Sequence, residues 1–393
     1  MQKKTRIVVS VILDLVTDQR VHKVCNSLQN AGYEVLVIGG KRKKSLPLTP
    51  RSYKAVRLPL FFQKKMWFYA EYNIKLFFKL LFTRCDILLA NDLDVMPANY
   101  LASVIKRKPL VYDTHEYFLG MPQLHGKRLA KKVWAFVERS TLPKLKYIYT
   151  ICQSFCDLYD KDYGKKLWYV RNVPPLNIEE TFQFEELKKD IDGRIPRNKH
   201  LLLYQGAGIN HERGAEELIL STQFLDPQQI HLLLVGGGDV FDTLVEMIHA
   251  KGLTDRITII PKVPFEVLRH ITRQAHLGLT LDKPNNINHL YGLPNKIFDY
   301  LHSGVPVITS RLVEMERIIS KYDVGTYIEN HNPEHIAHCI QGALEDSIRL
   351  ERWKRNTLLV KAEMNWENEE KLLLQIYEKV CKEYHLPAPK NDY

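Results

Sequence analysis

The order of short apolar runs along the 393 residues is what most constrains the fold. The first series comprises a strand at Arg6 to Leu13, a helix at Gln19 to Ala31, and strands at Glu34 to Ile38, Asp86 to Ala90 and Leu110 to Tyr112. A second series of strands lies at Leu201 to Tyr204, Ile230 to Val235, Ile257 to Ile260, Leu277 to Leu281 and Val305 to Thr309. Apolar runs that alternate with helical stretches are typical of a parallel sheet covered by helices on both faces. The sequence therefore predicts an α/β fold in which this architecture occurs twice.

The segment between the two series has a different composition. Pro174 to His200 is rich in Glu, Lys, Asp and Pro and has little apolar pattern, which is typical of a linker. The last strong helix, Glu367 to Tyr384, follows the second series, and we expect it to pack back across the cleft between the domains. We predict an N-terminal domain at 1–175 that includes 366–393, a linker at 176–200 and a C-terminal domain at 201–365.

The charge and the cysteine content indicate which kinds of partner the protein binds and in which cellular compartment it lies. Lys and Arg outnumber Asp and Glu by 56 to 45, so phosphates, nucleic acid or anionic lipid are favoured partners. Of the six cysteines only Cys152 and Cys156 are close in sequence, and no second pair completes a zinc site. Ile7 to Leu13 is interpreted as a first strand rather than a signal peptide, and no apolar run reaches about 18 residues. We expect a cytoplasmic protein whose membrane contact, if any, is peripheral.

The most specific stretch is Tyr291 to Pro306, YGLPNKIFDYLHSGVP. Pro294 suits a first helical turn, and the N–H groups of such a turn attract phosphate. Lys296 adds a positive charge there, and Asp299 lies one turn beyond Asn295. The pattern predicts a phosphate-binding end and a carboxylate for ribose hydroxyls on one helix. The alternative is an ordinary amphipathic helix with Lys296 and Asp299 on its surface.

A second candidate phosphate site lies at Tyr204 to Glu217, YQGAGINHERGAEE. Gly206 and Gly208 would let the backbone approach a ligand, and Arg213 can clamp phosphate oxygens with two N–H groups. The alternative is a plain turn with a solvated Arg213. The glycine loop at Leu234 to Asp239 also follows a strand, and we interpret it as mainly structural.

In the first half, the stretch Leu110 to Phe118, LVYDTHEYF, carries the candidate catalytic residues Asp113, His115 and Glu116. A histidine can donate or accept a proton at neutral pH, and a nearby carboxylate can fix its tautomer. The alternative is a core or capping histidine at a strand end. His115 is the first choice for an active-site role.

The stretch Tyr291 to Pro306 resembles the signature helix of the family-4 retaining glycosyltransferases of the GT-B fold. The resemblance covers nearly the whole chain and implies two Rossmann-like, doubly wound domains that face each other across a cleft. Asp299 matches the acidic residue that holds the donor's ribose, and the residues that would surround the diphosphate or sugar are Leu293, Pro294, Asn295 and Lys296. Two positions depart from the family pattern: Tyr291 replaces a glutamate, and Ala207 replaces an arginine.

The resemblance also implies roles for residues outside this helix. Val263 matches the place where backbone groups contact the nucleobase, and His115 matches a histidine that touches the transferred sugar. Because Val11 to Arg20 lacks the family's usual glycine pair, Arg20 is a candidate diphosphate ligand. The predicted donor-binding residues are Gly208, Arg213, Val263, Leu293, Pro294, Asn295, Lys296, Asp299 and Arg20.

The function that the resemblance implies is transfer of a sugar from a UDP- or GDP-sugar to a saccharide or lipid-linked acceptor, with retention of configuration. We expect no metal or other cofactor, because Arg213, Lys296 and the helix N-terminus would neutralise the departing diphosphate. The product would belong to a surface polysaccharide or glycolipid. The alternatives are a nucleotide-sugar epimerase of the same fold and a catalytically silent partner subunit, which the replacements at Ala207 and Tyr291 make conceivable. Nucleic-acid binding is disfavoured, since no basic run with regularly placed aromatics forms a groove-reading motif.

The segment Phe61 to Arg84 interleaves aromatic and basic residues. A helix of this kind can lie in the headgroup region of an anionic membrane. The alternative is a packed helix with snorkelling lysines. If the helix binds lipid, the protein is peripheral on the inner face of the cytoplasmic membrane and its acceptor is lipid-linked.

Overall fold

The computed structural model of the protein describes residues 4–178 and 183–389. The chain divides into two compact units. Unit 1 comprises Met1–Asn172 and Glu367–Tyr393, and unit 2 comprises Val173–Trp366.

Unit 1 is built on a seven-stranded sheet in which all neighbouring strands are parallel. Its strands are β1 (Arg6–Val11), β2 (Glu34–Lys41), β3 (Lys54–Pro59), β4 (Ile87–Asn91), β5 (Leu110–Asp113), β6 (Tyr147–Thr150) and β7 (Trp168–Tyr169), in the order β3-β2-β1-β4-β5-β6-β7. Its first five helices are α1 (Gln19–Asn30), α2 (Lys65–Phe82), α3 (Met96–Lys106), α4 (Arg128–Thr141) and α5 (Gln153–Tyr163). β1 and β4 are buried along almost their whole length, as expected for parallel strands covered on both faces.

Unit 2 repeats the architecture with a six-stranded parallel sheet. Its strands are β8 (His200–Gly206), β9 (Ile230–Gly236), β10 (Ile257–Pro261), β11 (Leu277–Thr280), β12 (Val307–Ser310) and β13 (Gly325–Ile328), in the order β10-β9-β8-β11-β12-β13. Its helices are α6 (Glu185–Arg194), α7 (Ala215–Ser221), α8 (Phe241–Ala250), α9 (Phe265–Thr272), α10 (Ile287–Tyr291), α11 (Lys296–His302), α12 (Val313–Tyr322), α13 (Pro333–Glu345) and α14 (Ser347–Glu363).

The last helix, α15 (Trp366–Glu383), packs on unit 1. Glu369 pairs with Arg171 at 2.6 Å, and the hydroxyl of Tyr147 donates to Glu383 at 2.6 Å. The segment that we predicted as a linker contains α6, and α6 packs on unit 2 through an ion pair between Lys188 and Glu266 on α9. Much of that segment is therefore part of unit 2.

In each sheet the strand order reverses at one place. The reversal lies between β1 and β4 in unit 1 and between β8 and β11 in unit 2. Open α/β sheets bind ligands at the carboxyl ends of the strands at such a switch point. The predicted class, α/β with two parallel sheets, is confirmed, and the switch points define where functional residues should be sought.

Candidate functional site

At the switch point of unit 2, a glycine brings two loops into contact. Gly214 has φ +71°, and a Cβ on it would lie 2.3 Å from the carbonyl oxygen of Leu281, which follows β11. Only glycine accepts both this backbone conformation and this approach. The contact sets Arg213, at the start of α7, beside Asp282, at the end of β11.

Asp282 lies between two cations. Its Oδ2 is 3.0 Å from Nη1 of Arg213, and its Oδ1 is 4.0 Å from Nζ of Lys296. The side chain of Asp282 is only 4% exposed, and Lys296 Nζ also lies 4.4 Å from the ring centroid of Tyr204. Burial lowers the pKa of Lys296, although Asp282 opposes the shift. The three side chains have a formal net charge of +1, which suits an anionic ligand. Sequence reasoning missed Asp282, whose only signal was its position directly after a strand.

Asp299 is held by a second buried polar group. Nε2 of Gln205 donates to Oδ2 of Asp299 at 3.4 Å, and Oε1 of Gln205 accepts from the hydroxyl of Thr272 at 2.8 Å. Gln205 is 1% exposed, whereas Asp299 is half-buried and lines a cavity of about 180 Å³ together with Phe265 and His302. The carboxylate of Asp299 therefore lies at a cavity wall, where it can accept from a ligand's hydroxyl groups.

The other predicted donor residues vary in exposure. α11 begins at Lys296, two residues later than the predicted start at Pro294, and the carbonyl of Pro294 accepts from Ile297 N–H at 3.3 Å. Asn295 is exposed, but the side chain of Leu293 is buried, so only its backbone could meet a ligand. Gly208 is exposed in the loop after β8, and Val263 is half-buried between β10 and α9.

At the switch point of unit 1, His115 lies between two carboxylates. Its Nδ1 is 3.2 Å from Oδ2 of Asp92, its backbone N–H donates to Oδ1 of Asp92 at 2.9 Å, and its Nε2 is 3.3 Å from Oδ2 of Asp113. Asp92 follows β4 and has φ +64°. A non-glycine residue in this left-handed region is strained, and such strain is concentrated at functional sites. Asp92 was not predicted as a site residue.

Arg20 is bound to Asp113 rather than left open to solvent. Its Nε and Nη2 donate to the two carboxylate oxygens of Asp113 at 3.0 and 2.7 Å, and its Nη1 donates to the carbonyl of Val170 at 2.7 Å. The side chains of Arg20 and Asp113 are 4% and 0% exposed. This is a buried, two-pronged ion pair. Arg20, which we predicted as a diphosphate ligand, therefore has an ion-pair partner inside unit 1.

The two carboxylates determine the charge of His115. Burial alone would lower its pKa, but Asp92 and Asp113 outweigh burial and raise the pKa to about 9. Burial would likewise raise the pKa of Asp113, but Arg20 and His115 outweigh it and lower the pKa to about 2. The imidazole is therefore protonated at neutral pH and serves as a hydrogen-bond donor. Glu116 is exposed, and its backbone carbonyl accepts from the hydroxyl of Thr114.

The helices α2, α3 and α4 expose apolar side chains that the core of unit 1 does not use. On α2, Ile74, Phe78 and Phe82 recur every four residues and are 59%, 54% and 86% exposed. No helix in the described part of the chain is both long and apolar enough to cross a membrane. Within residues 4–178 and 183–389, no group of three or more His, Cys, Asp or Glu side chains is arranged to hold a metal ion.

The chain matches two protein families in succession. Residues 18–173 match Glycosyltransferase Family 4, and residues 186–359 match Glycosyl transferases group 1. An uncharacterised glycosyltransferase of Methanocaldococcus jannaschii is 20% identical over 250 residues. That match covers 62% of this chain and 62% of the relative, so the chain spans less than two thirds of that protein's length.

Solved structures share the fold over almost the whole chain. Sucrose-phosphate synthase from Thermosynechococcus elongatus superimposes with a TM-score of 0.80 at 15% identity, covering 97% of this chain and all of that one. The Anabaena protein HepE, solved with UDP and glucose, gives a TM-score of 0.71 at 14% identity and covers 96% of this chain and all of its own. WaaG, a glycosyltransferase of lipopolysaccharide biosynthesis, gives a TM-score of 0.66 at 16% identity and covers 94% of this chain and 99% of its own. The two family matches and the shared fold identify this chain as a glycosyltransferase of the GT-B fold, with the group 1 match confined to residues 186–359.

Proposed function

We propose that the protein transfers a sugar from a UDP- or GDP-sugar to an acceptor hydroxyl, with retention of configuration and without a metal or other cofactor. The observation that carries this proposal is the cluster at the switch point of unit 2. There Arg213 and Lys296 flank a buried Asp282, and Asp299, three residues beyond Lys296 on α11, lines a cavity. Two cations and a hydroxyl-accepting carboxylate match the diphosphate and the ribose of such a donor. The similar Anabaena protein was solved with UDP and glucose, which supports the same ligand class.

The proposed reaction exchanges one bond for another at the anomeric carbon. The bond from this carbon to the diphosphate oxygen breaks, and its electron pair stays on the diphosphate. The acceptor oxygen attacks from the same face and forms the new glycosidic bond, and its proton passes to the leaving diphosphate. Arg213 and Lys296 stabilise the charge that grows on that group, because fixed cations in a partly buried site stabilise it more than water does.

In unit 1, we propose that His115 lies against the transferred sugar and orients Asp92, whose carboxylate accepts from a hydroxyl of that sugar. Both ring nitrogens of His115 face carboxylates, Nδ1 facing Asp92 and Nε2 facing Asp113, so the imidazole holds Asp92 in place rather than donating to the ligand. Asp92 is 23% exposed and can meet a sugar hydroxyl, whereas Asp113 is fully buried and acts on His115 and Arg20. In this proposal His115 is a positioning residue, and it does not remove a proton.

Turnover with a panel of donors and acceptors tests the proposal. UDP- and GDP-sugars would be incubated with a lipid extract and with simple saccharides, and the products would be identified by mass spectrometry. We expect one donor to yield a glycoside of retained configuration, in the presence of a chelator, and Asp299→Ala to abolish it. An epimer or free sugar formed without an acceptor would instead support the epimerase alternative. Donor binding without any turnover would favour a silent partner subunit.

We further propose that the acceptor is lipid-linked and belongs to a surface polysaccharide or glycolipid, and that the protein lies on an anionic membrane surface. About half of the exposed large apolar side chains that the structure describes lie on or next to α2, α3 and α4. These helices pack side by side, and the right-handed connections of the sheet put them on one face. They carry two acidic residues: Glu138 is fully buried, and Glu71 is paired with Lys75. An apolar, basic face suits anionic lipid.

Liposome flotation tests this contact. We expect binding that requires anionic lipid and that is lost in the double variant Ile74→Ser, Phe78→Ser. The matched control is Leu358→Ser, Leu359→Ser on α14, where both side chains are similarly exposed, and it should bind as the unaltered protein does. Binding that ignores lipid charge, or equal loss in both variants, would contradict a membrane role for this face.

A further inference from the structure

The cation pair of unit 2 includes a carboxylate that a simple anion site does not need. Asp282 is buried between Arg213 and Lys296, and it cancels one of their two charges. A carboxylate next to a diphosphate site opposes anion binding, since like charges repel. The carboxylate therefore has a role other than attracting the anion.

The hydrogen bonding of the cluster is incomplete. Among the described side chains, Oδ1 of Asp282 and Nε of Arg213 are buried without a hydrogen-bond partner. Buried polar atoms are normally paired, and an exception in a site is typical of a group whose partner arrives with a ligand. The guanidinium of Arg213 is 29% exposed, so its accessible N–H groups can donate to a phosphate oxygen, and Oδ1 of Asp282 lies 4.0 Å from Nζ of Lys296. A phosphate bound by these cations would therefore lie next to the acid.

Substrate and product differ in charge at this position. The diphosphate of a nucleotide sugar carries two negative charges, because both phosphates are esterified. A free nucleoside diphosphate carries about three near pH 7.5, because its terminal phosphate ionises again at about pH 6. A fixed negative charge repels the product more than the substrate, in proportion to their charges.

We propose that Asp282 is a positioning residue that holds Arg213 and Lys296 in place and lowers the affinity of the site for the product nucleoside diphosphate relative to the nucleotide sugar. This inference rests on the proposed function, and it adds a specific role to a residue that the donor-site prediction did not contain. With Asp282 the cluster has a net charge of +1, and without it the net charge is +2. The extra charge would bind the product more tightly and slow its release.

The test compares two ligands in one site. UDP and UDP-glucose, and GDP and GDP-mannose as a second pair, would be titrated calorimetrically at pH 7.5 in a chelator, so that no divalent cation masks their charge. We expect Asp282→Asn to shift the affinity ratio towards the free diphosphate by about fivefold at low salt, and less in 0.5 M NaCl. In steady-state turnover, both kcat and KM of Asp282→Asn should fall, because slower product release lowers both. Asp282→Glu, which keeps the charge, should retain the original ratio within about twofold.

Two further variants separate this role from a structural one. Lys296→Gln removes a cation, so it should shift the ratio in the opposite direction, towards the nucleotide sugar. Glu351→Gln on α14 makes the same net charge change at a site that is 63% exposed, and it should leave the ratio unchanged. If Asp282 only holds α7 and α11 together, Asp282→Asn will weaken both ligands equally, and an unchanged ratio overturns the inference. If the unaltered protein binds neither ligand of either pair, the proposed function fails instead.

Discussion

The switch points of the two units are built from the same kinds of side chain in different proportions. In unit 1, Asp92 and Asp113 surround the cations Arg20 and His115, and the four charges cancel. In unit 2, Arg213 and Lys296 exceed the single acid, Asp282. The switch points of two parallel sheets thus differ in net charge: in our proposal the balanced cluster binds a neutral, hydroxyl-rich ligand, and the cationic cluster binds a diphosphate. The clusters also differ in burial, since Arg20 is 4% exposed and Arg213 is 29% exposed.

The largest expected effect concerns stability. Arg20→Met leaves the fully buried carboxylate of Asp113 without its main counter-ion, and breaking a buried pair in this way costs about 3–5 kcal/mol. Arg213→Met removes a partly solvated partner and should cost about 1 kcal/mol or less. Urea unfolding of both variants measures the difference. Equal losses would show that the two ion pairs are not distinguished by burial.

The next effect separates binding from turnover. Arg213→Ala should weaken nucleotide-sugar binding by about 30-fold, because hydrogen bonds to charged groups contribute about 2 kcal/mol. His115→Gln should leave that affinity within about threefold but lower kcat by about 100-fold, since Asp92, which it orients, acts on the reacting sugar. Calorimetry and initial rates measure the two quantities. If Arg213→Ala lowered kcat without weakening binding, and His115→Gln weakened binding instead, the roles that we assign to unit 2 and unit 1 would be wrong.

A pH series tests the charge of His115. The pKa of His115 is about 9 in the folded protein and about 6.5 in the unfolded chain. Its ion pairs therefore contribute their full stabilisation below pH 6.5, and this stabilisation is lost as the pH rises through about 9. The difference in unfolding free energy between the unaltered protein and His115→Gln should therefore shrink by about 3 kcal/mol from pH 6 to pH 10. The matching difference for Arg213→Met should stay constant, because a guanidinium does not lose its proton in this range. A difference for His115→Gln that does not change with pH would contradict the ion pairs of His115 with Asp92 and Asp113.

The smallest expected effect is at Gln205. Gln205→Leu removes the amide that donates to Asp299, and we expect a threefold to fivefold loss of nucleotide-sugar affinity, about 1 kcal/mol. Gln341→Leu on α13, where the amide bonds only a loop carbonyl, is the control and should bind normally. An unchanged affinity in Gln205→Leu would mean that Asp299 is positioned by its own helix alone.

The strands that could be predicted from the sequence are those buried on both faces. β4 and β9 are fully buried and mainly apolar, and their positions were predicted to within about one residue. β3 was missed because it lies at the edge of the sheet and alternates exposed and half-buried residues. β7 was missed because it has only two residues, which is too short for a period to emerge. β6 (YIYT) and β13 (GTYI) were missed because each has a single aliphatic residue and so forms no apolar run.

Single candidate residues could be named from the sequence, but the partners that the structure gives them could not. Placement after a strand or on a distinctive helix was enough to single out His115, Arg213 and Asp299 as candidates. Their partners Asp92, Asp282 and Gln205 come from other strands, and the pairing depends on strand order and side-chain direction, which one sequence does not give. For the same reason the sequence did not indicate that the order of β1, β4 and β5 pairs Arg20 with Asp113.

The central claim is that unit 2 binds a nucleotide sugar through Asp299 and the cation pair. It is tested most directly by calorimetric titration of a panel of UDP- and GDP-sugars into the unaltered protein and into Asp299→Ala. The account predicts that at least one nucleotide sugar binds and that Asp299→Ala weakens it by at least about tenfold, the loss of a charged hydrogen-bond acceptor for the ribose. Absence of binding across the panel, or an affinity that Asp299→Ala leaves unchanged, would contradict it.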